Sequence, residues 1–235
     1  MYEFNKEKHI HTLDGKPLMG VTTVLSVINK PALIQWSANE AIKYAIENFA
    51  DKGSDDGGNY FTIYEHILVE AKTAHRKKKE TAGDWGTAVH GAVESWIKEK
   101  VEPTTLDEMG MVAFTNFKKW AEDNKVEFLE SEKHLYSKEM WTGGIVDMVF
   151  MMDGKKYIGD IKTSSGIYNE AFFQMGAYHL MLQEMGEAED VAGYIVINLK
   201  KDGTMNLKMA TDMELNQNAF KYALGLYGII NNLEK

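Results

Sequence analysis

A mixed α+β fold is what this sequence predicts, and three observations carry the prediction. Residues before about 125 read mainly as helices. From Val126 onward the apolar spacing changes, in part, to the two-residue period of strands. The strand-rich half is then interrupted by helical segments in the order β-α-β-β-α, the layout of an α+β or mixed α/β domain. At 235 residues and 44% hydrophobic, the chain can bury one sizeable core, with or without an attached helical part. We expect residues 1–125 to form a mostly helical part and residues 126–235 to form the core, packed as one compact unit.

The first expected element is a small hairpin, because residues 9–13 and 16–19 flank the turn signal Asp14-Gly15. Residues 21–28 are rich in β-branched side chains and fit a strand or a short helix. Pro31 suits the first turn of a helix running to about Phe49, with Ile34, Ala38, Ala41, Ile42, Ala45 and Ile46 as its apolar face. Residues 51–59 read as a mobile Gly/Asp/Ser loop. A second helix is expected over about 61–78. A third starts near Asp84, with Thr81-x-x-Asp84 as a capping box and Val89, Val93, Trp96 and Ile97 as its core stripe. A fourth covers about 106–123.

Strands follow at 126–136 and on both sides of Asp153-Gly154, a strong two-residue hairpin turn. A helix over 169–184 stops at Gly186. A strand at 191–199 turns through Asp202-Gly203 into another at 205–209, and a last helix runs over about 214–233. The sequence holds no internal repeat and no low-complexity tract.

Composition excludes several classes. With no cysteine there are no disulfides, thiolate zinc sites or iron–sulfur clusters. No apolar run approaches the ~18 residues of a membrane span, and the first residues lack the pattern of a signal peptide. A cytoplasmic setting without membrane contact is the expectation, in a bacterium or a phage-infected cell. The net charge of −9 counts against avid, nonspecific nucleic-acid binding over the whole surface, although it does not forbid a local basic groove. Arg76 is the only arginine, which argues mildly against sequence-specific reading of a duplex. There is no Walker A loop and no G-x-S-x-G motif.

The chemistry-bearing stretch is the hairpin around Asp153-Gly154. If Met152 faces Lys155 across the turn, counting outward brings Asp147 opposite Asp160. Like charges directly opposed in an antiparallel pair destabilise it, and Asp is depleted in strands to begin with. A bound divalent cation removes the conflict, because carboxylate oxygens suit Mg²⁺ or Mn²⁺. Lys162 lies two residues after Asp160, so alternation puts its amine on the same face. Gln174 and Tyr178 share a face of the next helix at i and i+4.

This order of residues resembles the PD-(D/E)XK nuclease superfamily in its RecB-like exonuclease branch. His90 in Gly86-Thr-Ala-Val-His90 matches the branch's helical histidine, and Asp147 sits in Gly144-x-x-Asp147. Asp160-Ile161-Lys162 matches the (D/E)-x-K element, and Gln174-x-x-x-Tyr178 matches the motif on the following helix. Each piece alone is weak, and the strength lies in the four in order with a hairpin turn in the right place. The match spans about residues 84–180, and residues 9–36 look like the start of small phage-type and mitochondrial-maintenance exonucleases. The resemblance implies a restriction-endonuclease-like core, a central mixed sheet flanked by helices. It implies one or two Mg²⁺ or Mn²⁺ ions held by Asp147, Asp160 and the Ile161 carbonyl, with His90 completing the set. Lys162 would position the attacking water, and Gln174 and Tyr178 would face the site. The absence of cysteine sets this chain apart from the branch members that carry an iron–sulfur cluster.

The implied activity is a metal-dependent DNA exonuclease of recombination, repair or replication, leaving 5′-phosphates. Its substrates would be linear ends or single strands, and its partners a second copy or a recombination protein. The alternatives are a structure-specific endonuclease and a non-catalytic DNA-binding subunit of the same fold. Other residues carry more ordinary readings. Arg76, Lys77, Lys78 and Lys79, at an expected helix end, form a solvated face that could also grip DNA backbone. Glu132, on the strand before the hairpin, could support the site but reads first as a solvated strand residue, and Glu94 reads as a solvated partner rather than a ligand. Trp85, Trp141, Tyr168 and Phe172 read mostly as core, with one or two able to stack on bases.

Overall fold

The structure, a computed structural model, describes residues 1–51 and 60–231. Residues 52–59 of the expected loop lie outside the described residues. In chain order the elements begin with β1 (Tyr2–Asn5), β2 (Ile10–Leu13), β3 (Lys16–Pro17) and β4 (Met19–Gly20). The short helix α1 (Val21–Val24) runs into a 3-10 turn at Leu25–Val27, and α2 (Pro31–Asp51) and α3 (Tyr60–Glu99) follow. Then come α4 (Glu108–Asp123), β5 (Glu127–Ser137), β6 (Thr142–Met152), β7 (Lys155–Lys162) and α5 (Asn169–Glu184). The chain closes with β8 (Val191–Leu199), β9 (Met205–Ala210) and α6 (Met213–Ile230). This is an α+β chain with mixed strand directions.

The residues divide into two compact units, one of Met1–Ile28 with Ala88–Lys235 and one of Asn29–Thr87. Neither break coincides with the boundary expected near residue 125.

The larger unit is built on a six-stranded sheet in the order β4-β6-β7-β8-β9, with β5 also paired to β6. β7 and β8 run parallel, with α5 as the crossover between them, and β4 is parallel to β6. The other pairs are antiparallel. Asp153 and Gly154 both take positive φ, 50° and 71°, which is the backbone a two-residue hairpin turn needs to follow the strand twist. One face of the sheet is covered by α5 and α6, with Val149, Ile158, Met175, Tyr194, Val196 and Phe220 buried in a single cluster. The two helices approach closely at Gly176, where a Cβ would lie 2.6 Å from the Asn216 carbonyl oxygen. The other side holds an aromatic group, in which Trp96 meets Phe114, Phe117 and Phe128 edge-on with centroids 6.1–6.3 Å apart. A three-stranded sheet of β1, β2 and β3 completes this unit. Its β1 was not foreseen in the sequence, and residues 21–28 resolve as helix rather than strand.

The smaller unit holds α2 and most of α3, where one expectation fails and another holds only in part. The second and third expected helices are one continuous helix. Thr81 does not cap a new one, because its hydroxyl donates to the Lys77 carbonyl at 3.0 Å, a bond made within an unbroken helix. Gly83 costs such a helix about 1 kcal/mol relative to Ala, too little to break it. The apolar face proposed for α2 packs only in part, since Ala41 and Ala45 are half-buried while Ile34, Ile42 and Ile46 stay 66, 59 and 63% exposed. Beside those alanines, Trp36, Glu40 and Tyr44, at intervals of four, make side-chain contacts with α3. Trp36 meets His75 edge-on, Glu40 pairs with Lys78, and the Tyr44 hydroxyl donates to Glu70.

Candidate functional site

β6 changes partners along its length. β7 pairs with it only up to Met148↔Gly159, and β4 pairs with it at Thr142 and Gly143. Residues 144–147 therefore have no strand beside them on that side. The register from the Asp153-Gly154 turn is the expected one as far as Met148↔Gly159, and there the regular pairing ends. Asp147 is not in the ladder opposite Asp160. Its carboxylate instead accepts the backbone N–H of Ile161 at 2.7 Å. On the other side the β5 ladder passes from Ser131↔Met148 to Lys133↔Val146, leaving Glu132 and Asp147 facing each other unpaired. Val146 and Val149 both belong to the cluster under α5 and α6. Strict alternation would send residues three apart to opposite faces, so the strand is irregular at Asp147. Glu132 takes φ 50°, a left-handed conformation that a glutamate rarely adopts.

These two irregularities build a cluster. Ligand atoms of His90, Glu132 and Asp147 all lie within 4.8 Å of one another. The histidine reaches it from the last third of α3, where Val89 and Val93 are fully buried and hold the helix against the core. His90 Nδ1 is 3.8 Å from Asp147 Oδ2, and the nearby Ile161 backbone favours its protonated form. Two carboxylates and an imidazole are a donor set suited to Mn²⁺ or Mg²⁺. Glu132, read from sequence as solvated, is therefore corrected to a member of the cluster.

The electrostatics record the cost of gathering these groups. Burial raises the pKa of Glu132 to about 7, with Asp147 and Glu94 adding to the shift. Burial also raises that of Asp147, against the pull of Lys162 and the Ile161 N–H. Burial raises Asp160 to about 6, with Lys162 opposing and Asp147 reinforcing. The His90 imidazole is pushed down, first by burial and then by Lys162, so it is held neutral and able to act as a ligand.

Beside the cluster runs a chain of hydrogen bonds. Lys162 Nζ lies 2.8 Å from both carboxylate oxygens of Asp160 and donates to Gln174 Oε1 at 3.2 Å. Gln174 Nε2 donates in turn to the Tyr178 hydroxyl at 2.8 Å. Burial works to lower the Lys162 pKa, but Asp160 and Asp147 outweigh it and keep it raised, so the amine stays charged. The four motifs are thus brought together in one unit. Gly144 has a specific task, because a Cβ there would lie 2.5 Å from Cε1 of the Tyr178 ring. The tyrosine is seated in the notch left by the missing side chain.

Asp160 lies outside the His90–Glu132–Asp147 cluster; its Oδ1 accepts from Lys162 Nζ, and its buried Oδ2 has no hydrogen-bond partner among the described residues. Arg76, Lys77, Lys78 and Lys79 belong to the other unit and lie within α3 rather than at a helix end. Lys78 is paired with Glu40 there. Trp85 and Phe172 are buried, Trp141 donates to the Pro17 carbonyl at 3.0 Å, and Tyr168 is half exposed beside Ser165.

No family model matches the sequence, and no curated protein matches it. Sixteen solved chains do match. One, described as "Crystal structure of SSO0001", is 12% identical, with a TM-score of 0.29 over 49% of this chain. The match spans 57% of that protein's length. A likeness at that level carries no argument about the site, whose chemistry stands on its own geometry. Among the described residues no helix is long and apolar enough to cross a membrane.

Proposed function

We propose that this chain is a divalent-metal-dependent deoxyribonuclease of the PD-(D/E)XK type, acting as an exonuclease on DNA. The observation that carries the reading is the convergence of His90, Glu132 and Asp147 beside the Asp160–Lys162 pair. Three groups with atoms inside 4.8 Å and a charged amine on the adjoining strand are a set that could support metal-assisted phosphodiester hydrolysis.

His90, Glu132 and Asp147 would hold a cation, with Asp160 Oδ2, which accepts no hydrogen bond among the described residues, as a further oxygen donor on the adjoining strand. A cation there would polarise the scissile phosphate and acidify a water. The protein's own contribution is positional. The Ile161 N–H fixes the Asp147 carboxylate. Gln174, braced by Tyr178, holds Lys162 where its ammonium can orient water and stabilise charge building on the phosphoryl oxygens. With Glu132 near neutrality in its pKa, the cluster can exchange a proton for a cation at physiological pH.

Digestion of end-labelled linear, circular and single-stranded DNA with Mg²⁺ or Mn²⁺ tests the reading. Mononucleotides released from linear DNA, with circles left intact, are expected. Nicking of circles would favour the structure-specific endonuclease. Asp147→Asn should abolish cleavage in both metals while the protein stays folded. An Asp147→Asn protein that digests DNA like the parent would remove the assignment.

A further inference from the structure

Asn198 is the feature of this unit that the site as described does not use. It is fully buried, and both Oδ1 and Nδ2 lack a hydrogen-bond partner among the described residues. A buried amide left unpaired costs about 1–3 kcal/mol per group, so a core selected for stability alone would carry an apolar side chain there. Its place in the sheet is specific. Asn198 is the register partner of Lys162 in the parallel β7–β8 pair. Ile158, Tyr194 and Val196 share the cluster under α5 and α6, so alternation puts Asp160, Lys162 and Asn198 on that same face. Neighbouring strands lie about 4.8 Å apart, which brings the amide alongside the stem of the lysine.

Lys162 has three N–H donors. In this structure they serve the Asp160 carboxylate and Gln174. Asp160 Oδ1 accepts from the ammonium while the buried Oδ2 has no hydrogen-bond partner among the described residues; a cation taken up at Oδ2 would repel the ammonium, which is then better held by a neutral acceptor further off. We propose that Asn198 is a positioning residue for Lys162, its amide oxygen accepting from the ammonium when Asp160 serves the cation. The lysine then has two holding positions, one on Asp160 Oδ1 and one between Gln174 and Asn198, and the second keeps the ammonium away from a cation on the carboxylate. This rests on the nuclease reading for its consequence, but the contact itself can be tested without cleavage.

The test uses Asn198→Leu, close to the same shape without polar atoms, and three measurements. The first compares thermal stability, and the variant should melt at or above the parent. The second compares single-turnover cleavage with DNA affinity. The rate should fall at least tenfold with Kd unchanged within about twofold, and adding Asn198→Leu to Lys162→Ala should cost nothing more. The third follows acylation of Lys162 by an amine-reactive ester, read by peptide mass spectrometry, with the side chain 31% exposed and so within reach. With Mn²⁺ present, acylation should rise several-fold in the variant over the parent. A stable variant with the parent's rate and the parent's acylation would overturn the proposal. If the parent cuts no DNA in either metal, the nuclease reading fails, and the acylation measurement alone decides for or against Asn198. If the leucine variant does not fold, Asn198→Ser takes its place, and its short hydroxyl should retain part of the acylation protection.

Discussion

Replacing Glu132 with Gln should stabilise the metal-free protein at pH 8 and leave it nearly unchanged at pH 5. The carboxyl is raised from 4.5 to about 7 on folding, mainly by burial and then by Asp147 and Glu94. A carboxyl raised in the folded state keeps its proton longer than in the unfolded chain. Its stabilising share is complete below pH 4.5 and is lost as the pH rises through about 7. Each tenfold change in proton affinity is worth about 1.4 kcal/mol, so the full displacement corresponds to roughly 3 kcal/mol. Glu132 keeps partial contact with water, and solvent screening reduces this to roughly 1–2 kcal/mol. For a chain of this size that is a gain in Tm of about 2–8 °C at pH 8. Melting curves followed by circular dichroism, with chelator present, would measure it at both pH values. Adding Mn²⁺ should then reverse the order, because the parent holds the cation through one more oxygen, and saturation at a hundred times Kd adds about 2.7 kcal/mol. The same difference between Glu132→Gln and parent at pH 5 and pH 8 would refute the cluster, as would a variant less stable at pH 8 in chelator.

Three further outcomes follow from the same geometry. Gly144→Ala places a methyl 2.5 Å from the Tyr178 ring, so it should cost about 1–3 kcal/mol, and Tyr178→Val in the same chain should recover part of the loss in a melting experiment. His90→Ala should reduce cleavage more in Mg²⁺ than in Mn²⁺, because Mn²⁺ tolerates a water in the ring's place and still reaches the remaining oxygen ligands; no loss in either metal would return His90 to a packing role. Lys162→Ala should slow single-turnover cleavage by orders of magnitude while DNA affinity hardly changes, since the amine acts on the transition state, and normal cleavage by this variant would sink the mechanism.

The parts of this chain that were legible in the sequence are those governed by short-range rules. The Asp153-Gly154 turn sets the hairpin register through two adjacent positive φ angles, and residues 169–184 form a helix because their local pattern and Gly186 allow little else. Joining His90, Asp147, Lys162, Gln174 and Tyr178 depended on their order along the chain, and the fold does bring them together. Glu132 was missed because its place depends on a break in alternation. Once Glu132 turns left-handed and Asp147 leaves both ladders, counting in twos points the glutamate to the wrong side. The continuous α3 was missed because Thr81 and Gly83 look like punctuation, and only the hydroxyl bond to Lys77 shows that they are not. The pairing of β4 with β6 joins residues more than a hundred positions apart, which no local pattern encodes.

The bond from the Ile161 amide to Asp147 has a practical consequence. Most amides in a sheet are bonded to carbonyls, which do not change charge. This one is bonded to a carboxylate, so its proton should shift in a nitrogen–hydrogen NMR spectrum whenever that oxygen gains a proton or a cation. Its exchange with deuterium should quicken on the same occasions, because an oxygen that has gained a proton or a cation accepts more weakly than a free carboxylate. A single backbone resonance thus reports occupancy of the pocket directly, in a protein carrying its native residues and with no substrate in the tube.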